Sequence, residues 1–278
     1  MAPATRFTDL TTPDGLSLAI REGGHPDGRP ILFLHGWSQS SAVFRHQFVG
    51  SLAERFRLIA PDLRGHGASE KPSDPSGYAA GAGWAADLAA IIAGCGLDKP
   101  LVVGWSMGGW ILGDYLRVHG PDRLGGLVLV GSLARVGKAA DPALLAKRKA
   151  DARAEGMYDP DPVTQIEAAI TFAKAMTTAP LSKRDLAFLT AQMMACPPAI
   201  RRAARLRDED WREAFATASS IPRLVIQGVA DRVCYPEMGA ETAAALQTEI
   251  QLFPGAGHMP FWEQPEAFDA AVAGLMGP

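Results

Sequence analysis

The sequence contains no asparagine, which excludes N-linked glycosylation and any role that needs an Asn side-chain amide. Cysteine is scarce as well. Cys95, Cys196 and Cys234 are too few for a disulfide framework, and such an odd set is typical of reduced, intracellular thiols. No apolar run approaches the ~20 residues of a membrane span, and residues 1–12 lack the charged and apolar segments of a secretory signal. We therefore expect a cytoplasmic protein with no membrane partner.

Neither sign of charge is in excess. The 27 basic and 30 acidic residues give a net charge of −3, which gives no reason to expect a nucleic-acid partner. With 47% hydrophobic and 21% charged residues, the composition is that of a globular protein rather than a disordered or fibrous one. A length of 278 residues allows either one large domain or a core with an insertion.

Short apolar runs rich in Val, Ile and Leu are separated by segments of helical length. The runs are nearly continuous, which is typical of strands buried on both faces of a parallel sheet. They occupy residues 31–34, 58–60, 101–104, 127–130 and 224–227. Helices are predicted over 41–56, 78–93 and 108–119, and the turn Pro13-Asp14-Gly15 predicts an antiparallel hairpin over 8–22. The sequence thus predicts an α/β fold with a mostly parallel, doubly wound sheet opened by an N-terminal hairpin.

The alternation of strands and helices stops between residues 134 and 219, where helical patterns follow one another with no strand between them. Asp141 and Asp161 each precede a proline at a first helical position, and Ser182 opens a shortened capping box, so each predicts a helix start. Residues 1–133 and 220–278 are therefore predicted to form the α/β core, and residues 134–219 a helical cap inserted into it.

The core and the predicted cap differ in charge. Residues 134–220 hold 14 basic and 11 acidic residues, against 13 and 19 in the rest of the chain. Two interpretations are open: solvated helix faces, or a basic patch that selects anionic substrates. The acidic residues at 208–210 directly follow the arginines of 201–207, which favours solvated faces.

The most informative motif follows the strand predicted at 101–104. Gly104-Trp105-Ser106-Met107-Gly108 is a G-x-S-x-G sequence with a strand before it and a helix after it, which is the setting the motif requires. Its glycines let strand and helix approach, while the serine takes a strained conformation that exposes its Oγ at the carboxyl end of the sheet. Ser106 is therefore the candidate nucleophile.

A serine nucleophile needs a base, and in this architecture the chain order is serine, acid, histidine. Of the six histidines only His119 and His258 follow Ser106, and His119 lies at the far end of the helix that Ser106 begins. His258, in a glycine-containing turn after a short apolar run, is therefore the candidate base. His35 and His66 precede the serine and are interpreted as structural residues of their loops.

The acid is expected at the end of a strand between Ser106 and His258. The 127–130 run ends without a carboxylate, whereas the 224–227 run leads into Asp231. Asp231 is the candidate for the residue that orients the histidine and stabilises the imidazolium.

An oxyanion hole needs two fixed backbone donors. Met107, which begins the helix after the serine, is the first candidate. Trp37, in the loop that follows the 31–34 run, is the second. Apolar side chains of the predicted cap, Phe172 and Met176 among them, are candidates to line a substrate pocket.

These segments stand in the order found in the α/β-hydrolase superfamily, which the sequence resembles. The matching segments are His35-Gly36-Trp37, Asp62-Leu63-Arg64-Gly65-His66-Gly67, the elbow from Gly104 to Gly109, Gly228-Val229-Ala230-Asp231 and Gly257-His258. The resemblance covers both core segments, while the insertion matches the family's cap in position and size but by no motif. The elbow is similar to that of small serine carboxylesterases and cofactor-free haloperoxidase or perhydrolase-type members. Ser106 argues against the dehalogenases and epoxide hydrolases of the fold, in which Asp is the nucleophile.

The ordered triad predicts a serine hydrolase that cleaves a carboxylic ester of a small to medium apolar acyl group through an acyl-enzyme. Its partner is a small-molecule ester or a related carbonyl substrate. No cofactor and no metal are indicated, because neither metal-ligand spacing nor a phosphate-binding motif is present. Hydrolysis of a C–C bond or a lactone, perhydrolase or haloperoxidase activity, and a non-catalytic ligand receptor stay open as alternatives. The oligomeric state is not predicted.

Overall fold

A computed structural model describes residues 5–146 and 154–277 of the chain. Its strands are β1 (Arg6–Thr11), β2 (Ser17–Gly24), β3 (Pro30–Leu34), β4 (Arg57–Pro61), β5 (Leu101–Trp105), β6 (Gly126–Val130), β7 (Arg135–Val136), β8 (Glu209–Asp210), β9 (Arg223–Gly228) and β10 (Ile250–Phe253). Eight of them form one sheet in the order β1-β2-β4-β3-β5-β6-β9-β10. β2 runs antiparallel to both of its neighbours, and every other pair in this sheet is parallel. The predicted mostly parallel α/β sheet with an N-terminal hairpin is confirmed.

Helices fill the connections between the strands. They are α1 (Ser51–Arg55), α2 (Ser76–Ala79), α3 (Gly81–Gly94), α4 (Met107–His119), α5 (142–146), α6 (Pro162–Ala175), α7 (Lys183–Ala195), α8 (Pro198–Arg205), α9 (Arg212–Ala216), α10 (Pro236–Leu246), α11 (Pro260–Glu263) and α12 (Pro265–Met276). β5 and β6 are buried along their whole length, as strands covered on both faces must be. The site described below therefore rests on two fully buried strands of the sheet.

Two predicted helices are interrupted. The segment 41–56 forms a short 3₁₀ turn over Ser41–Phe44 and then α1, because Gly50 is extended (φ −90°, ψ −169°) and begins the helix anew. The segment 78–93 breaks at Ala80, which is also extended (φ −99°, ψ 142°) and separates α2 from α3. Periodic apolar residues on both sides of each break make one helix appear continuous in the sequence.

The segment between β6 and β9 contains a strand pair that the sequence analysis missed. β7 and β8 are antiparallel, with Arg135 opposite Asp210 and Val136 opposite Glu209. The prediction that no strand lies between 134 and 219 is therefore wrong. The sequence gives no sign of these strands because a ladder of two residues is too short to produce a period-2 pattern. The predicted helix starts are confirmed: carboxylates of Asp141 and Asp161 and the hydroxyl of Ser182 accept from first-turn N–H groups.

A buried polar contact joins this segment to the sheet's own helix α4. The Asp114 carboxylate accepts hydrogen bonds from the Arg207 guanidinium and from the Trp211 indole, both at 2.8 Å, on the same oxygen. The indole rings of Trp110 and Trp211 stack beside it, with centroids 5.9 Å apart. Burial raises the pKa of Asp114, against the opposing effect of Arg207.

Within the described ranges, none of the helices combines the length and the apolar character that a membrane span requires.

Candidate active site

Ser106 lies at the sharp turn between β5 and α4. Its backbone has φ 53° and ψ −115°, a region that side-chain-bearing residues rarely take. Two hydrogen bonds hold this conformation: the Ser106 N–H donates to the Val130 carbonyl, and the Ser132 hydroxyl donates to the Ser106 carbonyl, both at 2.9 Å. The strain predicted by the G-x-S-x-G motif is thus present.

Glycines beside the turn allow the close approach that the motif requires. A Cβ at Gly104 would lie 2.8 Å from Cα of Gly109, so β5 and α4 could not cross as they do with any larger residue. A Cβ at Gly36 would lie 3.3 Å from Cβ of Ser106. The loop that follows β3 therefore packs directly against the candidate nucleophile.

The structure brings Asp231 and His258 together. His258 Nδ1 lies 2.8 Å from Asp231 Oδ2, and both side chains are buried. The other oxygen, Oδ1, accepts the N–H groups of Val233 and Cys234 at 2.7 and 2.8 Å. This carboxylate is accordingly fixed in orientation and accepts from Nδ1–H, which leaves the lone pair of the imidazole on Nε2.

The imidazole lies against the turn that holds Ser106. A Cβ at Gly131 would lie 3.0 Å from Nδ1 of His258, and Gly131 directly follows the residue that accepts the Ser106 N–H. The Trp105 indole donates to the His258 carbonyl at 2.8 Å, and the two rings are 5.4 Å apart. The candidate nucleophile, base and acid therefore occupy one neighbourhood at the carboxyl ends of β5, β6 and β9.

Both candidate oxyanion donors adjoin the Ser106 turn, Met107 along the chain and Trp37 through the packing of its neighbour Gly36. Met107 is the first residue of α4, so its N–H is one of those that a helix leaves without an internal partner. Trp37 follows Gly36, the residue packed on Ser106, and is nearly buried. Its ring meets that of Phe172 edge-on at 5.6 Å, which places an apolar side chain of the predicted cap above this loop.

The His258 loop has supports that the sequence analysis did not identify. The His258 N–H donates to the Met176 carbonyl at 2.8 Å. Glu263 accepts the Gly257 N–H at 2.7 Å on one oxygen and the Thr178 N–H at 2.6 Å on the other. A glutamate five residues after a predicted catalytic histidine gives no recognisable signal, because its partner Thr178 is distant in sequence.

His35 and His66 have the structural roles predicted for them. His35 Nδ1 lies 2.8 Å from the Gly36 carbonyl, and its Nε2 accepts the Leu63 N–H at 3.0 Å. The imidazole of His66 packs beside it, with centroids 5.2 Å apart. Burial lowers the pKa of His35 to about 4 and the pKa of His66 to about 3, so both rings are neutral at pH 7. They are loop organisers held within the core.

Comparison with known proteins agrees with this geometry. A model of the Alpha/beta hydrolase family matches residues 31–271. The chain is 29% identical over 268 residues to AB hydrolase superfamily protein YisY of Bacillus subtilis (strain 168), covering 95% of this chain and 97% of that protein. It is 35% identical over 127 residues to a non-heme chloroperoxidase of Streptomyces lividans, covering 45% of this chain and 44% of that protein. The solved structure of esterase RhEst1 from Rhodococcus sp. ECU1013 is similar with a TM-score of 0.86 and 31% identity, over 98% of each chain.

Proposed function

The chain belongs to the alpha/beta hydrolase family and is a hydrolase, and from this premise we propose that it is a serine carboxylesterase for small to medium apolar acyl esters. The observation that carries the proposal is the buried 2.8 Å contact of His258 Nδ1 with Asp231, beside a Ser106 held at φ 53°. This combination supplies a nucleophile and an oriented base in one place.

In the first step Ser106 Oγ attacks the ester carbonyl and His258 Nε2 takes the hydroxyl proton. The tetrahedral oxyanion accepts hydrogen bonds from the N–H groups of Met107 and Trp37. Asp231 stabilises the imidazolium, which then protonates the departing alkoxide, so the alcohol leaves and the acyl group stays on Ser106.

In the second step water attacks the acyl-enzyme. His258 takes a proton from the water as it adds to the carbonyl, and the same two N–H groups hold the second oxyanion. Collapse of this intermediate returns the proton to Ser106 Oγ and releases the carboxylic acid, which restores the enzyme.

The test is hydrolysis of a p-nitrophenyl acyl ester series by the native protein and by Ser106→Ala. We expect multiple turnovers by the native protein, labelling of Ser106 by a fluorophosphonate, and a loss of roughly 10⁴-fold or more in kcat for the variant. Full turnover by Ser106→Ala would refute the nucleophile assignment. A native protein that turns over no ester, lactone or vinylogous diketone would indicate a ligand receptor instead.

A second candidate is perhydrolysis, in which peroxide replaces water and the acyl-enzyme yields a peracid that oxidises halide. The observation that favours it is the similarity to the chloroperoxidase of Streptomyces lividans over 45% of this chain. Bromination of monochlorodimedone that requires acetate, peroxide and an intact Ser106 would support it. Bromination that persists in Ser106→Ala would exclude this route.

The organisation and location of the protein complete the proposal. We propose that residues 134–219 act as a cap over a core formed by 1–133 and 220–278, since β7 and β8 pair close to the two ends of that segment.

A cytoplasmic location is supported by the three cysteines, all of which are free thiols.

A further inference from the structure

Arg201 is a fully buried arginine (0% exposed) on α8. One terminal nitrogen donates to Gln165 Oε1 at 2.7 Å, and the other lies 3.8 Å from the Met194 sulfur. Its Nε–H is buried without a hydrogen-bond partner. Among residues 5–146 and 154–277, no carboxylate forms an ion pair with it.

The other buried arginines among the described residues are paired differently. Arg64 contacts the Asp87 carboxylate at 2.6 Å, and Arg207 contacts the Asp114 carboxylate at 2.8 Å. Burying a guanidinium without a counter-charge is costly, because the desolvation of the cation is not offset. In the described part of the chain Arg201 therefore differs from these two in having no protein anion.

The Cys196 thiol, which interacts electrostatically with Arg201, does not supply the missing charge. Burial lowers the pKa of Arg201, and the Cys196 thiol opposes this effect. Burial also raises the pKa of Cys196 to about 12, so the thiol is neutral at pH 7. A buried cation without a protein counter-ion is a feature that ligand sites, rather than structural sites, retain.

Arg201 lies beside the candidate oxyanion loop. The Trp37 indole donates to the Arg201 carbonyl at 2.8 Å, and Trp37 directly follows the glycine packed on Ser106. The guanidinium partner Gln165 is on α6, two helical turns before Phe172, whose ring meets Trp37. Arg201 therefore lies where the candidate oxyanion loop meets the predicted cap, an interface that we call the seam.

A second unpaired polar group lies in the same seam. Gln39 is fully buried, and neither its amide nitrogen nor its amide oxygen has a hydrogen-bond partner. It lies between two points where its loop is joined to the predicted cap, namely Trp37 to Arg201 and Ser40 to Gln192. Buried polar atoms are normally paired, so an unpaired amide on the same loop that contacts Arg201 indicates a place for a polar ligand group.

We propose that Arg201 binds a carboxylate at the far end of an otherwise apolar acyl chain, so that the preferred esters within the proposed class are half-esters of dicarboxylic acids. This inference rests on the proposed esterase function. The planar guanidinium gives the carboxylate charge-assisted hydrogen bonds in a water-excluded seam, while the ester group reaches Ser106. The apolar chain between the two groups contacts the rings of Trp37 and Phe172.

The test compares monomethyl esters of linear dicarboxylic acids, from succinate to suberate, with the matched methyl esters in which the free acid is a carboxamide. Methanol release at pH 8 gives kcat/KM for each ester. The readout is the kcat/KM of the free-acid ester divided by the kcat/KM of the matched carboxamide ester. For at least one chain length we expect a ratio of about 10 to 100 in the native protein, the range for a hydrogen bond to a charged group. Arg201→Met should bring that ratio close to one, and Arg201→Lys should keep part of it.

The matched control is Arg202→Met, which removes an exposed arginine from the same helix and should keep the native ratio. A native ratio at or below one for every chain length would overturn the proposal, as would an unchanged ratio in Arg201→Met. If Arg201→Met does not fold, Arg201→Lys decides the question, and an acid-over-amide ratio in that variant as large as the native ratio would overturn the proposal.

Binding separates this inference from the esterase proposal. Adipate should raise the melting temperature of the native protein and of Ser106→Ala, but not of Arg201→Met. Adipate binding without any ester turnover would leave the carboxylate site standing and refute the esterase. Ester turnover without stabilisation by any dicarboxylate from succinate to suberate would refute the carboxylate site alone.

Discussion

The backbone N–H of His258 donates a 2.8 Å hydrogen bond to the carbonyl oxygen of Met176. Met176 caps the C-terminus of α6, in the segment proposed as a cap, so the candidate base is held by that segment as well as by its own loop. Glu263 reinforces the contact by accepting from Gly257 and from Thr178. Displacement of α6 must therefore disturb His258, which couples the position of the proposed cap to the base.

We predict that Asp231→Asn lowers kcat by about 10³- to 10⁴-fold with little change in the melting temperature. The N–H groups of Val233 and Cys234 would hold the amide oxygen, so the amide NH₂ would face His258 Nδ1. The imidazole would then carry its proton on Nε2 and could not accept one from Ser106. Kinetics on p-nitrophenyl butyrate measure this, with exposed Asp98→Asn as the control. More than a tenth of native activity in Asp231→Asn would contradict the assignment.

Gly131→Ala should damage both stability and activity. Gly131 has φ 49°, and a Cβ there would lie 3.0 Å from His258 Nδ1 and 3.2 Å from Asp231 Oδ2. We expect a loss of about 1–2 kcal/mol in the free energy of unfolding from the positive φ, and a further loss of about 10- to 100-fold in kcat from displacement of the imidazole.

The chain contains a matched control for this substitution. Gly120 also has a positive φ (65°), but nothing lies within 4 Å of a Cβ placed there. Gly120→Ala should therefore lose stability and keep its kcat, as measured by urea unfolding and by kinetics on one preparation. Equal kcat values in the two variants would show that the space around Gly131 does not matter.

Glu263→Gln should lower kcat by about 10-fold and leave KM nearly unchanged, because Glu263 acts through the His258 loop and does not touch substrate. The amide has one acceptor oxygen where the carboxylate has two, so its NH₂ would face a backbone N–H of Gly257 or Thr178. Exposed Glu266→Gln is the control. If Glu263→Gln raises KM and spares kcat, Glu263 does not position the base.

Acid should destabilise the protein through its buried histidines. An unfolded histidine has a pKa near 6.5, whereas burial lowers the pKa of His66 to about 3 and that of His35 to about 4. Between pH 6.5 and 4 the unfolded chain therefore binds protons that the folded chain does not. The free energy of unfolding then falls with decreasing pH, by about 1.4 kcal/mol per pH unit for each histidine.

Asp269 opposes this trend. Burial raises its pKa to about 6, so the folded chain binds its proton first as pH falls from 6 towards 3.8, which is stabilising. The contribution of His66 to this pH dependence can be separated from that of Asp269 by comparing two histidine variants. From pH 7 to 5, His66→Gln should lose about 2 kcal/mol less than exposed His25→Gln in urea unfolding. Parallel pH profiles for the two variants would refute a neutral, buried His66.

Features with a strong local pattern were predictable from the sequence. The apolar runs predicted the central strands to within one residue at every end, because strands covered on both faces carry few polar positions. The proximity of Asp231 and His258 could be anticipated as well. Both follow strands, β9 and β10, that are parallel neighbours, so their loops meet at one edge of the sheet.

Features that depend on distant contacts were not predictable. An arginine in a charged helix is normally solvated, and only the packing of α8 against α6 and Trp37 shows that Arg201 is buried. Glu263 likewise acquires its role from Thr178, which is 85 positions earlier in the chain. The breaks at Gly50 and Ala80 depend on backbone torsions that apolar periodicity does not encode.

The short ladder of β7 and β8 has an evolutionary consequence. It pairs Val136 with Glu209, and paired residues in an antiparallel ladder have Cα atoms about 4.5–5.5 Å apart. The segment 137–208 therefore begins and ends at neighbouring positions. We expect it to behave as an interchangeable module that a tight turn or a different helical unit could replace. Asp114 limits such grafting, because it would lose Arg207 and keep its buried charge. Lineages that exchange the module should change residue 114 at the same time.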